Sequence, residues 1–307
     1  MTPTPNGKTN IVSNIKHMSY KIAIASGKGG TGKTSISVSL QHFISKQITN
    51  QVQLVDCDVE EPNDILFFPE AKKNKEHKIT QLIPEIDKAK CIYCRKCADY
   101  CEFNAISIIP SAQFAEVNSS LCHSCGACLV ACKNQAIREK EHPIGQVNFY
   151  QDQNKVDLVE GVLKIGSAMQ TLVIKETKRQ VSNQNQIILF DAPPGTSCPV
   201  VETISDSNYI ILVSEPTPFG LHDLKLMIAL TKEIKKPFGV IINKAGLGNR
   251  DIYDYLQTEK IELLGKIPFD RNYAVNYANG DLLKAFPQKI SDSFHKITDK
   301  LQRRIEL

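Results

Sequence analysis

The stretch Ser26-Gly27-Lys28-Gly29-Gly30-Thr31-Gly32-Lys33-Thr34 fits G-x-x-x-x-G-K-[ST] from Gly27 to Thr34. It follows the apolar run Ile22-Ala23-Ile24-Ala25 and precedes Ile36-Ser37-Val38-Ser39-Leu40, the strand, loop and helix setting that this motif requires. Glycines allow close backbone approach, so successive N–H groups and a helix N-terminus can cradle phosphate oxygens. In that geometry Lys33 reaches the β- and γ-phosphates of a nucleotide and Thr34 ligates Mg²⁺. Residues Gly27 to Thr34, with Ser35, form the candidate cradle.

Working outward, further apolar runs each end in polar residues. Val52-Gln53-Leu54-Val55 ends in Asp56-Cys57-Asp58, and Gln186-Ile187-Ile188-Leu189-Phe190 ends in Asp191. Tyr209–Val213 follows, then Phe238–Ile242 with Asn243-Lys244, and Leu263–Ile267 with Pro268-Phe269-Asp270. Continuous apolar runs read as buried parallel strands, and open α/β sheets bind ligands beyond the carboxyl ends of their strands. Asp56, Asp58 and Asp191 are therefore candidate site carboxylates, while Cys57 reads as a buried strand-end residue. Helical runs from Leu221 to Ile234 and from Ile290 to Leu307 alternate with the strands. The last carries Phe294, Ile297, Leu301 and Ile305 on one face and reads as core-facing. Val162–Gly166 and Thr171–Ile174 read as short strands, or as a strand and a helix joined by a turn. The alternation predicts an α/β protein with a doubly wound parallel sheet.

A second motif interrupts this pattern. Cys91, Cys94, Cys97 and Cys101 recur 31 residues later as Cys122, Cys125, Cys128 and Cys132, and Ala105-Ile106 recurs as Ala136-Ile137. C-x₂-C-x₂-C-x₃-C is the bacterial two-cluster iron–sulfur run, in which the fourth cysteine serves the other cluster. One [4Fe-4S] cluster is thus expected on Cys91, Cys94, Cys97 and Cys132, and the other on Cys122, Cys125, Cys128 and Cys101. Zinc sites commonly use paired C-x₂-C units separated by longer gaps. Glu102 and Lys133 stand where the run usually has proline, a position that is not a ligand. Arg95, Lys96, Arg138 and Lys140 read as a solvated surface.

The remaining composition sets bounds. The 307 residues suggest about two domains. Net charge is +4, from 37 basic and 33 acidic residues, too balanced to argue for nucleic acid or an anionic membrane. No apolar stretch approaches the roughly 20 residues of a membrane span. Ten cysteines clustered in C-x₂-C units point to metal ligation in a reducing compartment, hence the cytoplasm. Residues 1–18 read as a disordered extension, with Met18 an alternative start. Residues 19–70 and 143–307 form the nucleotide domain, and the charged run from Ala71 to Lys78 reads as a solvated connector into an insert spanning 71–142.

The K-G-G-T-G-K-T core, with its extra Lys28, resembles the deviant Walker A motif of the MinD/ParA/Mrp superfamily, and Asp191-Ala192-Pro193-Pro194-Gly195-Thr196 resembles switch II of its Mrp-type members. Together with the cysteine run, the chain looks like a MinD-superfamily P-loop ATPase containing an inserted small α+β bacterial-type ferredoxin domain. The resemblance implies an ATP-dependent homodimer in which Lys28 crosses to the partner's nucleotide, Asp58 positions the attacking water, and Asp56 and Asp191 support Mg²⁺. It also implies that Asn243 reads adenine and Pro268 lies near the base. Cys198 matches the offset of a cluster cysteine in the nitrogenase iron protein, but a second ligand is missing, and it reads as a packed or conformation-sensing thiol. The expected function is ATP hydrolysis coupled to electron transfer through two clusters toward a redox partner. The alternative is an ATP-dependent iron–sulfur carrier serving a client protein.

Overall fold

The computed structural model describes residues 19–152, 157–181 and 185–305; the expected disordered extension and the alternative start at Met18 lie outside them. β1 (Tyr20–Ala25) passes through the glycine loop into α1 (Lys33–Gln47) and β2 (Val52–Asp56). β3 (Lys72–Ile86) leaves the body and leads to α2 (Lys96–Asp99), β4 (Ile106–Ile109), β5 (Phe114–Val117) and α3 (Ala127–Ala131), and β6 (Ile137–Gln151) returns. Then come β7 (Asp157–Leu163), α4 (Gln170–Arg179), β8 (Ile187–Asp191), α5 (Cys198–Ile204) and β9 (Tyr209–Ser214). The described chain ends with α6 (Pro218–Glu233), β10 (Phe238–Ala245), α7 (Asp251–Thr258), β11 (Leu263–Pro268), α8 (Arg271–Ala278) and α9 (Gln288–Ile305).

The main sheet runs β11-β10-β9-β1-β8-β2-β7-β6-β3. From β11 to β7 all pairs are parallel, and β1, β2, β8 and β9 are buried along nearly their whole length. Both faces are covered, so no alternation of polar and apolar residues survives there. One face buries Ile36, Leu40, Phe43, Phe294 and Ile297 from α1 and α9. The other buries Val173, Val200, Met227 and Ile252 from α4, α5, α6 and α7. The apolar stripe of α9 is thus spent on the core, and among the described residues no helix is long and apolar enough to cross a membrane.

Two expectations need correction. The sheet is mixed, because β6 pairs antiparallel with β7 and β3 antiparallel with β6. The charged run near residue 72 is not a connector but the start of β3. Lysines there stay in water on a sheet edge, where charge discourages pairing with another chain, while Ile79, Gln81 and Ile83 turn inward on alternate positions. β6 runs unbroken through position 142, so the expected domain boundary falls inside a strand. The uncertain segments resolve as a strand, β7, and a helix, α4.

β3 and β6 form a two-stranded arm that carries the cysteine repeats at its tip. Arg138 and Lys140 both grip Glu85 across the arm, at 2.6 and 2.8 Å. β4 and β5 make a separate small hairpin. The repeat extends to backbone conformation: Tyr93, Arg95 and Asn104 have positive φ, and so do Ser124, Gly126 and Gln135 at the same offset of 31 residues. Arg95 occupies with a φ of 66° the position where the second copy has Gly126 at 73°, a conformation that favours glycine.

Candidate functional site

The glycine loop lies at the carboxyl end of β1, flanked by the ends of β8 and β2. Gly32 adopts φ 84° and caps α1, turning the chain so that Lys33 faces inward. Its ammonium lies 3.2 Å from Asp191 Oδ1 and is buried. Thr34 Oγ1 donates to Asp191 Oδ2 at 3.0 Å, and Ser37, one helical turn after Lys33, donates to Oδ1 at 2.9 Å. Burial works against the charge on Lys33, but Asp191 foremost, then Asp58 and Asp56, outweigh it and hold its pKa above the ordinary lysine value.

Asp56 ends β2 and accepts backbone N–H groups from Asp58 at 3.0 Å, Asn63 at 2.8 Å and Asp64 at 3.1 Å. It thereby shapes the loop that follows it. Burial, reinforced by Asp191, pushes the Asp56 carboxyl up to about 7. Burial likewise raises Asp58 to about 6, with Lys33 opposing. Cys57, between them, is fully buried and its thiol is pushed well up by that burial.

Asn243, at the end of β10, donates from Nδ2 to the Thr31 carbonyl at 2.8 Å and so braces the glycine loop from beneath. A cleft of about 260 Å³ beside the loop is lined by Gly30, Gly32, Ser35, Asn243, Pro268 and Tyr273. The fold thus brings together the phosphate loop and the two residues expected near a base. Lys28 pairs with Glu215 of its own chain at 2.8 Å, and Glu215 also holds Lys244 at 3.1 Å. Burial opposes the charge on Glu215, but Lys28 and then Lys244 keep its pKa below the ordinary range.

Sequence reasoning missed Asp64, Ser37, Glu215 and Lys244. Ser37 was legible in principle, because it stands four residues after Lys33 on one face of a helix. Asp64, Glu215 and Lys244 carry no motif signal of their own.

At the arm's tip, Cys91, Cys94, Cys97 and Cys132 line one cavity, and Cys101, Cys122, Cys125 and Cys128 line another. Each cavity therefore draws its fourth cysteine from the other repeat. None of these cysteines is in a disulfide. Ala105 N–H and Ala136 N–H each point at a cysteine sulfur, Cys101 and Cys132, at 3.3 Å. Burial pushes the Cys128 thiol up to about 11. Among the described residues, three or more ligand atoms of His, Cys, Asp or Glu lie within 4.8 Å of one another only in the trio Asp56, Asp64 and Asp191. The all-sulfur donor set, four cysteines to each cavity with the fourth from the other repeat, has the donor pattern of a two-cluster [4Fe-4S] site. Cys198 is not packed as expected: it is exposed at the start of α5 and lines neither cysteine cavity.

The chain is 32% identical over 93% of its length to the uncharacterized protein MJ0578 of Methanocaldococcus jannaschii, covering 97% of that protein. It is 22% identical over 96% of its length to an iron-sulfur cluster carrier protein of the same organism, covering 88% of it. Among solved structures, the septum site-determining protein MinD of Pyrococcus horikoshii, complexed with Mg-ADP, superposes with a TM-score of 0.56 at 20% identity, over 92% of this chain and 96% of that one. Residues 22–283 match the model of the CobQ/CobB/MinD/ParA nucleotide binding domain, a span that begins in β1 and contains the glycine loop, Asp56, Asp191, Asn243 and Pro268. With motif, sheet order and family model in agreement, the chain belongs to the CobQ/CobB/MinD/ParA nucleotide-binding family.

Proposed function

We propose that this protein is an ATPase that couples ATP binding and hydrolysis to electron transfer through two [4Fe-4S] clusters. Gly27 to Ser35 cradle the phosphates, Lys33 neutralises the β- and γ-oxygens, and Thr34, Asp56 and Asp191 hold Mg²⁺. Asp58 orients the attacking water. Asn243 and Pro268 border the base. Lys28 leaves Glu215 and reaches the nucleotide of a second copy, so that hydrolysis needs a homodimer. Cys91, Cys94, Cys97 and Cys132 hold one cluster, and Cys101, Cys122, Cys125 and Cys128 the other. Such clusters supply one-electron transfer to a redox partner.

What carries the reading is the crossed arrangement of the cysteines on an arm whose strands end in the nucleotide sheet. β6 runs from Ile137, five residues after Cys132, to Gln151 beside β7, and β7 pairs with β2 up to Asp56. Contacts to a γ-phosphate that form on binding and vanish on hydrolysis can reposition such an element.

A second reading, an iron–sulfur carrier with ATP controlling release, is favoured by the relatives of that name. Ligation shared between the two repeats argues against easy release. One anaerobic preparation separates the two. Reduced protein is mixed with an apo-acceptor and with an oxidised one-electron acceptor, with and without MgATP. MgATP-dependent oxidation with iron retained supports electron transfer, and MgATP-dependent loss of iron and sulfide to the apo-acceptor supports the carrier. Lys28→Ala should abolish ATP-dependent dimerisation and lower hydrolysis; hydrolysis at the wild-type rate would refute the shared site.

A further inference from the structure

We propose that Asp56, Asp64 and Asp191 form a divalent-cation site that fills before nucleotide arrives, with Asp64 as a direct ligand. The three carboxylates come from the end of β2, the turn at 64–67 and the end of β8, so only the fold brings them together. They offer ligand oxygens within 4.8 Å of one another, and all three residues are buried.

Their hydrogen bonding is unequal. Asp56 accepts three backbone N–H groups. Asp191 accepts from Lys33, Thr34 and Ser37. Asp64 is fully buried, yet neither of its carboxylate oxygens has a hydrogen-bond partner. A carboxylate in that position is costly unless it is paired, metal-bound or protonated. Asp191, Asp58 and Asp56 all act on the ammonium of Lys33, and the same ammonium acts on Asp64, an excess of carboxylates that a doubly charged ion with a preference for oxygen would offset.

Asp64 is also held in place. Its own N–H is bonded to Asp56, and the turn it opens is anchored by buried Phe67 and Phe68. The turn therefore presents the carboxylate to the cluster. An ion here ties the loop after β2 to the end of β8 and pre-forms the region where the nucleotide's own Mg²⁺ would be held. The inference rests on the nucleotide reading only for that last consequence, since the ion binds without nucleotide.

The test titrates Mn²⁺ into nucleotide-free protein and follows free Mn²⁺ by electron paramagnetic resonance. The expected result is one Mn²⁺ per chain, displaced by Mg²⁺, with a thermal midpoint that rises as Mn²⁺ is added. Asp64→Asn should weaken Mn²⁺ binding by about tenfold or more and lose the thermal response, while its metal-free midpoint equals or exceeds that of the metal-free wild type. Should Asp64→Asn fail to fold, Asp64→Ser is titrated instead. The proposal is overturned if nucleotide-free wild type binds no Mn²⁺, if the variant binds it as tightly, or if Mg²⁺ fails to displace it, which would place it on thiolates. Mn²⁺ binding that persists in a protein unable to bind ATP would overturn the nucleotide reading and leave this site standing.

Discussion

Replacing Gly32 by alanine should destabilise the protein, and part of the cost should depend on Asn243. Gly32 sits at φ 84°, where a side chain costs about 1–2 kcal/mol relative to glycine. An alanine Cβ would lie 2.2 Å from Asn243 Nδ2 and 3.1 Å from Ser35 Oγ, so the asparagine must move. Asn243 is buried, and moving it breaks its 2.8 Å bond to the Thr31 carbonyl, worth about 1–3 kcal/mol when the freed groups stay buried. Gly32→Ala should therefore destabilise the nucleotide-free protein by about 2–5 kcal/mol. In an Asn243→Ala background the overlap with the amide is gone, leaving the backbone cost of about 1–2 kcal/mol and the 3.1 Å contact with Ser35 Oγ. Denaturant unfolding of wild type, both single variants and the double variant closes the cycle. Equal costs of Gly32→Ala in the two backgrounds, to within about 0.5 kcal/mol, would refute the bracing role of Asn243.

Cys132→Ser should remove the cluster signal of the Cys91, Cys94 and Cys97 set and leave the other intact, whereas Cys101→Ser should do the reverse; each should lower bound iron from about eight to about four per chain. Loss of the set adjacent in sequence would mean that the ligands are not shared between repeats. His42 lies against Phe43 and Phe286, with ring centroids at 5.4 and 5.2 Å, and burial, helped by Lys46, lowers its pKa from 6.5 to about 4. The folded state then binds fewer protons than the unfolded state between these values, so stability falls as pH drops from 6.5 toward 4. His42→Gln should flatten that fall by up to one proton in urea unfolding across this range, and an unchanged pH slope would exclude His42 as its source.

The nucleotide half of the site was legible because its residues are local: a glycine loop and helix N-terminus need only neighbours in sequence, and buried strands announce themselves as apolar runs. The cysteine spacing was equally local, and the pairing of each three-cysteine run with the fourth cysteine of the other repeat, which the two cavities show, followed from it. Glu215 escaped notice because it is an isolated acid after β9 whose role depends on Lys28 and Lys244 arriving from β1 and β10. The arm was misread because a solvent-exposed edge strand rich in lysine has the composition of a linker; only pairing with β6 distinguishes them.

Taken alone, the order of residues determined the α/β class, the phosphate loop and the two four-cysteine sets, since each depends on interactions spanning a few residues or one strand. Tertiary structure alone decided that the sheet ends in an antiparallel arm, that Asn243 supports Gly32, and that Asp64 joins Asp56 and Asp191. These are contacts between segments far apart in the chain, and only the assembled sheet, with burial stripping away solvent, sets their distances and charges.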